Sequence, residues 1–372
     1  MNNGRAEFDR QMMSIAILMA RRGLGTTAPN PAVGAVIADE ATGELIARGW
    51  TQPGGRPHAE KEALRRAGPR ARGRTMYVTL EPCAHTGRVP TCADAMLSSG
   101  IKRVVCAIPD PNPVVSGRGF AQLRAQGVEV DVGLLADEAR WYTLGHILRQ
   151  TAHRPFVQLK MALDAKGRVA AGNGAPVWVT GEEARAYAHL LRAEADAILV
   201  GAGTVVADDP ELTCRLPGLA QRSPDRIVLD TQLRTSPAAK IYRQNAARPR
   251  VWVAASVGDA AGPHVRHGES DALVLDVGSK NGLSVDLDGL LGTLSENGLT
   301  RLLVEGGPTV WMGFLAAGFV DEVCVVSSDA EAQDPVIPVI EGERPAFFGR
   351  FGLVLAQSRM LGRDRLEIYR RD

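Results

Sequence analysis

The chain has 372 residues, enough for two domains of ordinary size. Its composition, 45% hydrophobic and 23% charged, is that of a soluble globular protein, and 43 Lys and Arg against 42 Asp and Glu argue against a nucleic-acid binder that works by broad phosphate neutralisation. Five cysteines are too few for a disulfide framework and indicate reduced thiols, as in the cytoplasm.

The first part of the chain alternates apolar runs of strand length with helical patterns, which indicates an α/β fold with a largely parallel sheet. The apolar stretch 12–20 is short and precedes an arginine pair, so we predict an amphipathic helix there, with neither a signal peptide nor a membrane span. Strands are then predicted at 32–38, 45–49, 75–80, 103–108 and 128–132, and helices at 58–67, 92–99, 120–126 and 136–149.

A polar, proline-containing stretch, TAHRPF (151–156), is the predicted boundary between two domains, residues 1–150 and 151–372. From residue 156 the alternation of strands and helices restarts. Strands are predicted at 156–161, 197–201, 225–230, 250–256, 272–277, 301–307, 320–326 and 365–370, and helices at 181–193, 287–297 and 308–317.

A possible metal site lies in the segment 56–97. Pro57 is placed to open a helix, so His58 and Glu60 fall in the first turn, where residues two apart can converge on one small object. Cys83 follows a predicted strand directly, and Cys92 begins a helix after Thr91, a favourable N-cap residue. Because a helix N-terminus stabilises a thiolate, these positions favour metal binding.

One histidine and two thiolates leave the fourth position of a tetrahedral zinc ion open for water, which is the catalytic pattern, with Glu60 placed to transfer protons. H-x-E followed by P-C and a second Cys is typical of the zinc nucleobase deaminases, although eight residues separate the two cysteines here. The alternative is a helix-capping region beside two inert thiols. The remaining cysteines, Cys106, Cys214 and Cys324, are expected in the core.

Two glycine-containing turns in the second part suggest binding of phosphate. Gly201-Ala202-Gly203 follows a strand but lacks the third glycine of a dinucleotide fingerprint. In VEGGPT (304–309) a strand ends in a glycine pair and a proline opens the next helix, whose backbone N–H groups suit a phosphate. Taken alone, VEGGPT is better explained as a tight strand-to-helix connection without a ligand, and Gly201-Ala202-Gly203 is only a weak fragment of that fingerprint.

Three segments of the first part are similar to those of a known family: PNPAVGAVI (29–37), PCAHTGRVPTC (82–92) and DPNPVVSGRG (110–119). They resemble the bifunctional deaminase/reductase of riboflavin biosynthesis, whose first domain has a cytidine-deaminase-like, three-layer α/β fold. The resemblance implies zinc at His58, Cys83 and Cys92, catalysis by Glu60, and substrate contacts by Asn30, His85 and Arg88. Without it, the last three would be residues of turns and surface loops. Thr51 departs from the family, many members of which have a histidine there.

The segment 178–215 is similar to the family's reductase domain, which has a dihydrofolate-reductase-like fold and uses NADPH. The resemblance implies that the cofactor is bound by Ala162, Trp178, Thr204, Asp208, Thr231, Gly307, Pro308 and Thr309. It implies that the substrate is bound by Lys160, Arg192, Leu212, Arg215 and Glu305. Its arginines suit bidentate recognition of phosphate.

Residues of the reductase segment also have simpler interpretations: Trp178 as a core aromatic, Arg192 on a solvated helix face and Asp208 in a turn. Departures from the family are more numerous in this half. The common Ser-Leu-Asp-Gly appears as Asp164-Ala165-Lys166-Gly167, a frequent serine is Pro176, and SSDAEAQDPVIPVI (327–340) replaces the expected stretch after a strand. These changes raise the alternative of a weakened reductase.

The resemblance thus implies hydrolytic, zinc-dependent deamination of diaminohydroxyphosphoribosylaminopyrimidine, followed by NADPH-dependent reduction of the ribosyl side chain to ribityl. The alternatives are a chain active only as a deaminase, a nucleic-acid-editing deaminase, and a binding protein with a structural zinc ion. We expect a cytoplasmic homo-oligomer whose partner is the small phosphorylated pyrimidine, with neither nucleic acid nor membrane involved.

Overall fold

The computed structural model describes residues 2–84, 90–112, 115–170, 179–243, 250–256, 267–278, 285–332 and 335–371. The chain divides into two compact units, Met1–Arg154 and Pro155–Asp372. The predicted boundary after residue 150 falls at the end of a helix, Ala136–Thr151. Among the described residues, none of the helices combines the length and the apolar character needed to cross a bilayer.

The first unit is an α/β structure with one five-stranded sheet. Its strands are β1 (Gly34–Asp39), β2 (Glu44–Trp50), β3 (Thr75–Leu80), β4 (Arg103–Ile108) and β5 (Glu129–Val132), in the spatial order β2-β1-β3-β4-β5. Its helices are α1 (Asn2–Arg21), α2 (Ala59–Ala67), α3 (Cys92–Ser99), α4 (Arg118–Ala125) and α5 (Ala136–Thr151). β1 runs antiparallel to both of its neighbours, and β3, β4 and β5 are mutually parallel.

Two glycines show that helices cover both faces of this sheet. A Cβ on Gly34 would lie 1.8 Å from the carbonyl oxygen of Ala16 in α1, and one on Gly49 would lie 2.4 Å from that of Ala59 in α2. Gly49 pairs with Ala35, the neighbour of Gly34, and successive residues of a strand point to opposite faces. Helices α1 and α2 therefore pack on opposite faces, which gives three layers and explains why β1, β3 and β4 are buried throughout.

The predicted start of α2 was wrong by one residue. The helix begins at Ala59, and His58 is its N-cap, with extended backbone (φ −66°, ψ 158°). Pro57 therefore precedes the cap and does not open the helix. The predicted N-cap of α3 is confirmed: Thr91 Oγ1 accepts a hydrogen bond from the Asp94 N–H (3.1 Å), and the Asp94 carboxylate accepts one from the Thr91 N–H (2.9 Å).

The second unit is built on a nine-stranded sheet with the order β11-β10-β9-β8-β12-β6-β13-β16-β15. Its strands are β6 (Phe156–Leu163), β8 (Ala197–Gly201), β9 (Asp225–Leu229), β10 (Val251–Ala255), β11 (Leu273–Asp276), β12 (Arg301–Gly306), β13 (Glu322–Ser327), β15 (Leu353–Leu361) and β16 (Asp364–Arg371). Its helices are α6 (Glu182–Ala193), α7 (Ala202–Asp208), α8 (Leu287–Glu296), α9 (Pro308–Ala316) and α10 (Arg344–Gly349). Two short strands, β7 (Arg168–Ala170) and β14 (Val336–Pro338), form a separate antiparallel ribbon.

Seven neighbouring strands of this sheet, from β11 to β13, are parallel, as predicted, and β16 runs antiparallel to both of its neighbours, β13 and β15. The carboxyl ends of the parallel strands lie along one edge, where open α/β sheets bind their ligands. Sequence patterns missed the β7–β14 ribbon, α7, α10 and β15, because these elements are short or, for β15, exposed along most of their length.

Candidate metal centre and reductase cavity

Three predicted metal ligands converge in the first unit. His58 caps α2, Cys83 follows β3, and Cys92 is the first residue of α3. The Nδ1 atom of His58 lies 3.3 Å from Cys92 Sγ and 3.7 Å from Cys83 Sγ, and the three ligand atoms lie within 4.8 Å of one another. The sequence order of strand end and helix start therefore brings together residues that are up to 34 positions apart.

The spacing of these atoms fits a tetrahedral zinc ion. Zinc–sulfur bonds of about 2.3 Å and zinc–nitrogen bonds of about 2.1 Å place neighbouring ligand atoms roughly 3.6 Å apart, close to both observed distances. Three protein ligands are the number found at catalytic zinc sites, which keep one position for water or substrate. The donor set therefore matches a catalytic rather than a structural centre.

The two thiols are already polarised by their surroundings. The Cys92 backbone N–H, at the start of α3, donates to Cys83 Sγ (3.3 Å). Hydrogen bonds from the Cys92 thiol and from His58 lower the pKa of Cys83, and sharing that proton raises the pKa of Cys92. Cys83 is thus held as the thiolate, which is the form that binds a metal.

Glu60 is buried in the first turn of α2, with 3% of its surface exposed. Burial raises the pKa of this carboxyl, and the neighbouring His58 partly offsets that effect. A glutamate whose pKa is shifted toward neutrality can accept and donate a proton at the working pH. Its position two residues after His58, outside the group of three ligand atoms, suits proton transfer rather than ligation.

Glu81 is a buried residue of this centre that sequence reasoning missed. Its carboxylate accepts hydrogen bonds from the backbone N–H groups of Asp110 (3.2 Å), Gly117 (3.0 Å) and Gly119 (3.0 Å). Gly119 approaches so closely that a Cβ there would lie 2.2 Å from the Pro82 carbonyl oxygen. Glu81 therefore holds the backbone at Asp110, Gly117 and Gly119 beside the end of β3, just before Cys83. In the sequence, the glutamate directly before Pro-Cys was the available signal.

Asn30 lies against the turn that leads to His58. A Cβ on Gly55 would lie 1.9 Å from its amide nitrogen, so the side chain fills the space that this glycine leaves. Thr51 is buried and its hydroxyl accepts a hydrogen bond from the Val33 N–H (3.0 Å), so it supports the start of the sheet instead of facing a ligand. The predicted substrate residues His85 and Arg88 lie outside the described residues.

In the second unit, Arg192 and Glu305 form a bidentate ion pair that is largely shielded from solvent, with 12% and 8% of the two side chains exposed. Arg192 on α6 donates from Nε and Nη2 to the two carboxylate oxygens, both at 2.7 Å, and Nη1 donates to the Thr213 carbonyl (3.1 Å). Burial would raise the pKa of Glu305, but the Arg192 guanidinium lowers it to about 2. Lys160 lies nearby, where burial lowers its pKa and Glu305 partly compensates. Arg192 is thus paired and buried, contrary to the simpler interpretation of a solvated helix face.

Leu212 and Arg215 flank Thr213 on the segment beside this pair. Leu212 is buried and has a positive φ of 53°. The Arg215 backbone N–H donates to His189 Nδ1 (3.3 Å), while its side chain is exposed. Burial, together with the nearby arginines, lowers the pKa of His189 to about 4, so the ring is neutral at physiological pH. His189, beside the Arg192–Glu305 pair, is thus a second residue that the sequence patterns missed.

A cavity of about 810 Å³ lies at the carboxyl ends of β8, β9 and β12, where Glu305 is one of its walls. Six predicted cofactor residues line it, namely Thr204, Asp208, Thr231, Gly307, Pro308 and Thr309. Ala162 is on β6 outside that lining, and Trp178 lies outside the described residues. The volume is within the range of small-molecule and cofactor sites.

Two glycines let elements of the cavity wall pack closely together. Gly307 is the N-cap of α9, and a Cβ there would lie 3.3 Å from Thr204 Oγ1. A Cβ on Gly201 would lie 2.8 Å from Val310. These glycines allow backbone to line the cavity closely, with the α9 N-terminus available to a pyrophosphate.

Two stretches that depart from the family pattern contact each other. Asp164 is fully buried and accepts hydrogen bonds from the Ala332 N–H (3.1 Å) and from Arg168 Nε (2.8 Å). Lys166 and Arg168 pair with Glu331 at 2.9 and 3.4 Å. These contacts hold β7 in place, and Val169 and Ala170 of β7 line the cavity. The residues that differ from the family pattern therefore interact with each other at the cavity wall. Pro176 lies outside the described residues.

Comparison with known proteins covers both units. Residues 6–108 match the family model described as the cytidine and deoxycytidylate deaminase zinc-binding region, and residues 155–350 match the RibD C-terminal domain. Riboflavin biosynthesis protein RibD of Aquifex aeolicus is 40% identical over 319 residues, which cover 86% of each chain. RibD of Escherichia coli is 39% identical over 328 residues, covering 85% of this chain and 86% of the relative.

Comparison with solved structures points to the same family. RibD of Acinetobacter baumannii has a TM-score of 0.82 at 33% identity, covering 98% of this chain and 99% of that one. A diaminohydroxyphosphoribosylaminopyrimidine deaminase/5-amino-6-(5-phosphoribosylamino)uracil reductase of Thermotoga maritima has the same TM-score and identity, covering 99% of both. The expected cytidine-deaminase-like and dihydrofolate-reductase-like domains are thereby confirmed. The chain belongs to the RibD family of riboflavin biosynthesis, whose members join a zinc-dependent deaminase to an NADPH-dependent reductase.

Proposed function

We propose that the first unit deaminates a diaminohydroxypyrimidine carrying a phosphoribosylamino group, with the ion held by His58, Cys83 and Cys92. The observation that carries this proposal is the 3.3 and 3.7 Å spacing of His58 Nδ1 from the two thiols, with a buried carboxyl two residues after His58. Zinc bound there lowers the pKa of a coordinated water, which supplies the nucleophile for the amine-bearing ring carbon.

Glu60 is the proposed proton carrier of this step. Its carboxylate accepts the proton released as water adds to the ring, and then delivers it to the amino nitrogen, so that the C–N bond breaks and ammonia leaves. Burial raises the pKa of Glu60, which favours both transfers near neutral pH. Asn30, at the turn before His58, is proposed to orient the ring, together with His85 and Arg88.

The second unit is proposed to reduce the ribosyl side chain of the deaminated product to ribityl. NADPH supplies the hydride when bound in the cavity that Thr204, Asp208, Thr231 and the 307–309 turn line, with Ala162 and Trp178 as further proposed contacts. Lys160, Leu212 and Arg215 are proposed to hold the substrate around the Arg192–Glu305 pair, which fixes one wall of the reacting site. Orientation of substrate against cofactor supplies much of the rate enhancement.

A two-stage assay tests the proposed function, with ammonia release measured first and NADPH oxidation second. Glu60→Gln should abolish ammonia release, retain about one zinc ion per chain and still oxidise NADPH when given the deaminated product. Glu62→Gln is the matched control, because Glu62 on the same helix pairs with Arg65 and Arg66 instead of facing the ligands. Undiminished ammonia release by Glu60→Gln would defeat the assigned role.

The protein is further proposed to be a cytoplasmic homo-oligomer that acts on a small phosphorylated pyrimidine and on neither nucleic acid nor membrane. Thiols at the metal centre need a reducing compartment, and the even charge balance disfavours binding of polyanions. Strand β15 ends the nine-stranded sheet and exposes Val354, Leu355 and Met360, so a second copy is a suitable cover for this edge. Light scattering should give a mass at least twice 39.7 kDa.

A further inference from the structure

The segment 212–215, which carries two of the proposed substrate residues, lies outside the helices and strands of the second unit. Its first residue, Leu212, is buried and has a φ of 53°, a left-handed conformation that is strained for a residue other than glycine. Such a conformation persists only where the surrounding contacts impose it. The contacts that hold this segment therefore decide the shape in which it meets a substrate.

Helix α6 supplies contacts to three consecutive residues of the segment. His189 and Arg192 are three residues apart and so are neighbours on the helix surface. Arg192 Nη1 donates a hydrogen bond to the Thr213 carbonyl (3.1 Å). His189 Nδ1 accepts one from the Arg215 N–H (3.3 Å), and the His189 carbonyl accepts a weaker one from the Cys214 thiol (3.4 Å). The backbone path of the segment thus depends on one turn of α6.

Helix α6 is itself firmly held, which makes it a suitable support. At its N-cap, the Gly181 N–H donates to the carboxylate of Asp364 (2.6 Å), a fully buried residue at the start of β16. Ala184 and Leu191 of the helix belong to the hydrophobic core. His189 therefore reaches the segment from a fixed position.

The contact between His189 and the Arg215 N–H requires a neutral ring. A protonated imidazole carries a hydrogen on both nitrogens and has no acceptor. Burial, together with Arg192 and Arg215 nearby, lowers the pKa of His189 to about 4. Nδ1 therefore remains an acceptor at physiological pH, and the contact is present whenever the enzyme works.

Fixing the backbone of Arg215 matters because its side chain is long and exposed. An arginine side chain loses about 2 kcal/mol of rotamer entropy when a ligand orders it. If the backbone at Arg215 were also free to move, substrate binding would have to order both. A backbone that is held beforehand reduces this entropic cost of binding.

We propose that His189 is a positioning residue of the reductase, which holds the segment 212–215 in the shape that binds the deaminated substrate by accepting the Arg215 N–H. The inference rests on the proposed function of the second unit, in which Leu212 and Arg215 bind that substrate. His189 acts through the segment and needs no contact with the substrate or the cofactor. Its loss therefore weakens substrate binding and leaves cofactor binding and ammonia release as they are.

Steady-state kinetics of the full chain test this role, with the deaminated product as substrate and NADPH as reductant. His189→Leu removes the acceptor, whereas His189→Asn has nearly the same shape as leucine and restores an acceptor at the δ position. His189→Leu should raise the KM for the deaminated product by roughly 3- to 10-fold, the loss expected for one hydrogen bond to a partly exposed N–H. The kcat of the reductase, the KM for NADPH and the rate of ammonia release should stay within about 2-fold.

The acceptor's position is tested by two further comparisons. His189→Asn should recover most of the loss, and His189→Gln, whose acceptor lies one bond further from the backbone, should not. If His189→Leu does not fold, the asparagine and glutamine variants give the same comparison.

An unchanged KM for the deaminated product in His189→Leu would overturn the inference. Equal losses in the leucine and asparagine variants would also overturn it, because they would show that the packing of the ring matters and its acceptor does not. A KM for NADPH that rises as much as that for the substrate would show a general structural role instead. Wild-type protein that does not oxidise NADPH with the deaminated product would overturn the proposed reductase function, and this is measured before any variant.

Discussion

The Arg192–Glu305 pair gives a prediction whose size follows from its geometry. The pKa of Glu305 falls from its ordinary value of 4.5 to about 2. Since a pKa difference of one is worth about 1.4 kcal/mol, pairing stabilises the folded second unit by about 3 kcal/mol at neutral pH. Glu305→Gln leaves the guanidinium buried without its counter-charge, a change that costs about 3 to 5 kcal/mol in comparable pairs. We therefore expect Glu305→Gln to lower the free energy of unfolding by about 3 kcal/mol at pH 7.

Hydrogen exchange of the β12 amides, followed by mass spectrometry, reports on this unit alone, which matters because a two-domain chain does not unfold in one step. A carboxyl whose pKa is lowered by folding stabilises the protein above its unfolded pKa and loses that effect as pH falls through its folded pKa. The difference between wild type and Glu305→Gln should therefore shrink from pH 4.5 toward pH 2.

A double-mutant cycle completes the test. Arg192→Gln combined with Glu305→Gln should lose clearly less stability than the sum of the two single changes, because no buried charge is left without its partner. A Glu305→Gln protein within roughly 1 kcal/mol of the wild type at pH 7, or a difference that does not depend on pH, would refute the reasoning.

Three further changes have defined outcomes. Cys92→Ser should bind far less zinc by metal analysis, and the melting temperature of its first unit should be lower. Added zinc should restore little of that melting temperature in the variant, whereas it should restore it fully in wild-type protein treated with a chelator. Glu81→Gln removes the negative charge to which three backbone N–H groups, those of Asp110, Gly117 and Gly119, donate. The variant should destabilise the first unit by about 2 kcal/mol and slow ammonia release. An unchanged rate of ammonia release would contradict the positioning role of Glu81. Asp164→Asn should raise the KM for NADPH several-fold with ammonia release intact, because β7 loses its anchor at the cavity wall.

The metal centre shows how much of a site can be predicted from local sequence patterns. His58, Cys83 and Cys92 were identified because each stands at a strand end or helix start, and those junctions are encoded by residues within a few positions. Thr91 capped α3 as its side chain predicted. The start of α2 was placed wrongly by one residue, because proline is tolerated both before a cap and at the first helical position, and the pattern alone does not separate the two.

Other features depend on contacts between distant parts of the chain. Arg192 and Glu305 are 113 positions apart, and Asp164 meets Ala332 across 168 positions. The local periodicity of the sequence does not indicate which strands become neighbours. Arg192 was therefore equally compatible with a solvated helix face, and nothing in the sequence related the departures from the family pattern at 164–167 to those at 327–340. The order of the nine-stranded sheet decided both.

The sequence by itself determined the α/β class and predicted the ligand set and the proton carrier, since strand and helix periods, caps and thiol placement are short-range properties. Only the tertiary structure decided that Glu81 accepts hydrogen bonds from backbone N–H groups beside Cys83, and that the Arg192–Glu305 ion pair lies at the wall of the cavity. The physical reason is that burial is set by the packing of strands that are far apart in the sequence. Burial in turn sets the strength of an ion pair or a hydrogen bond.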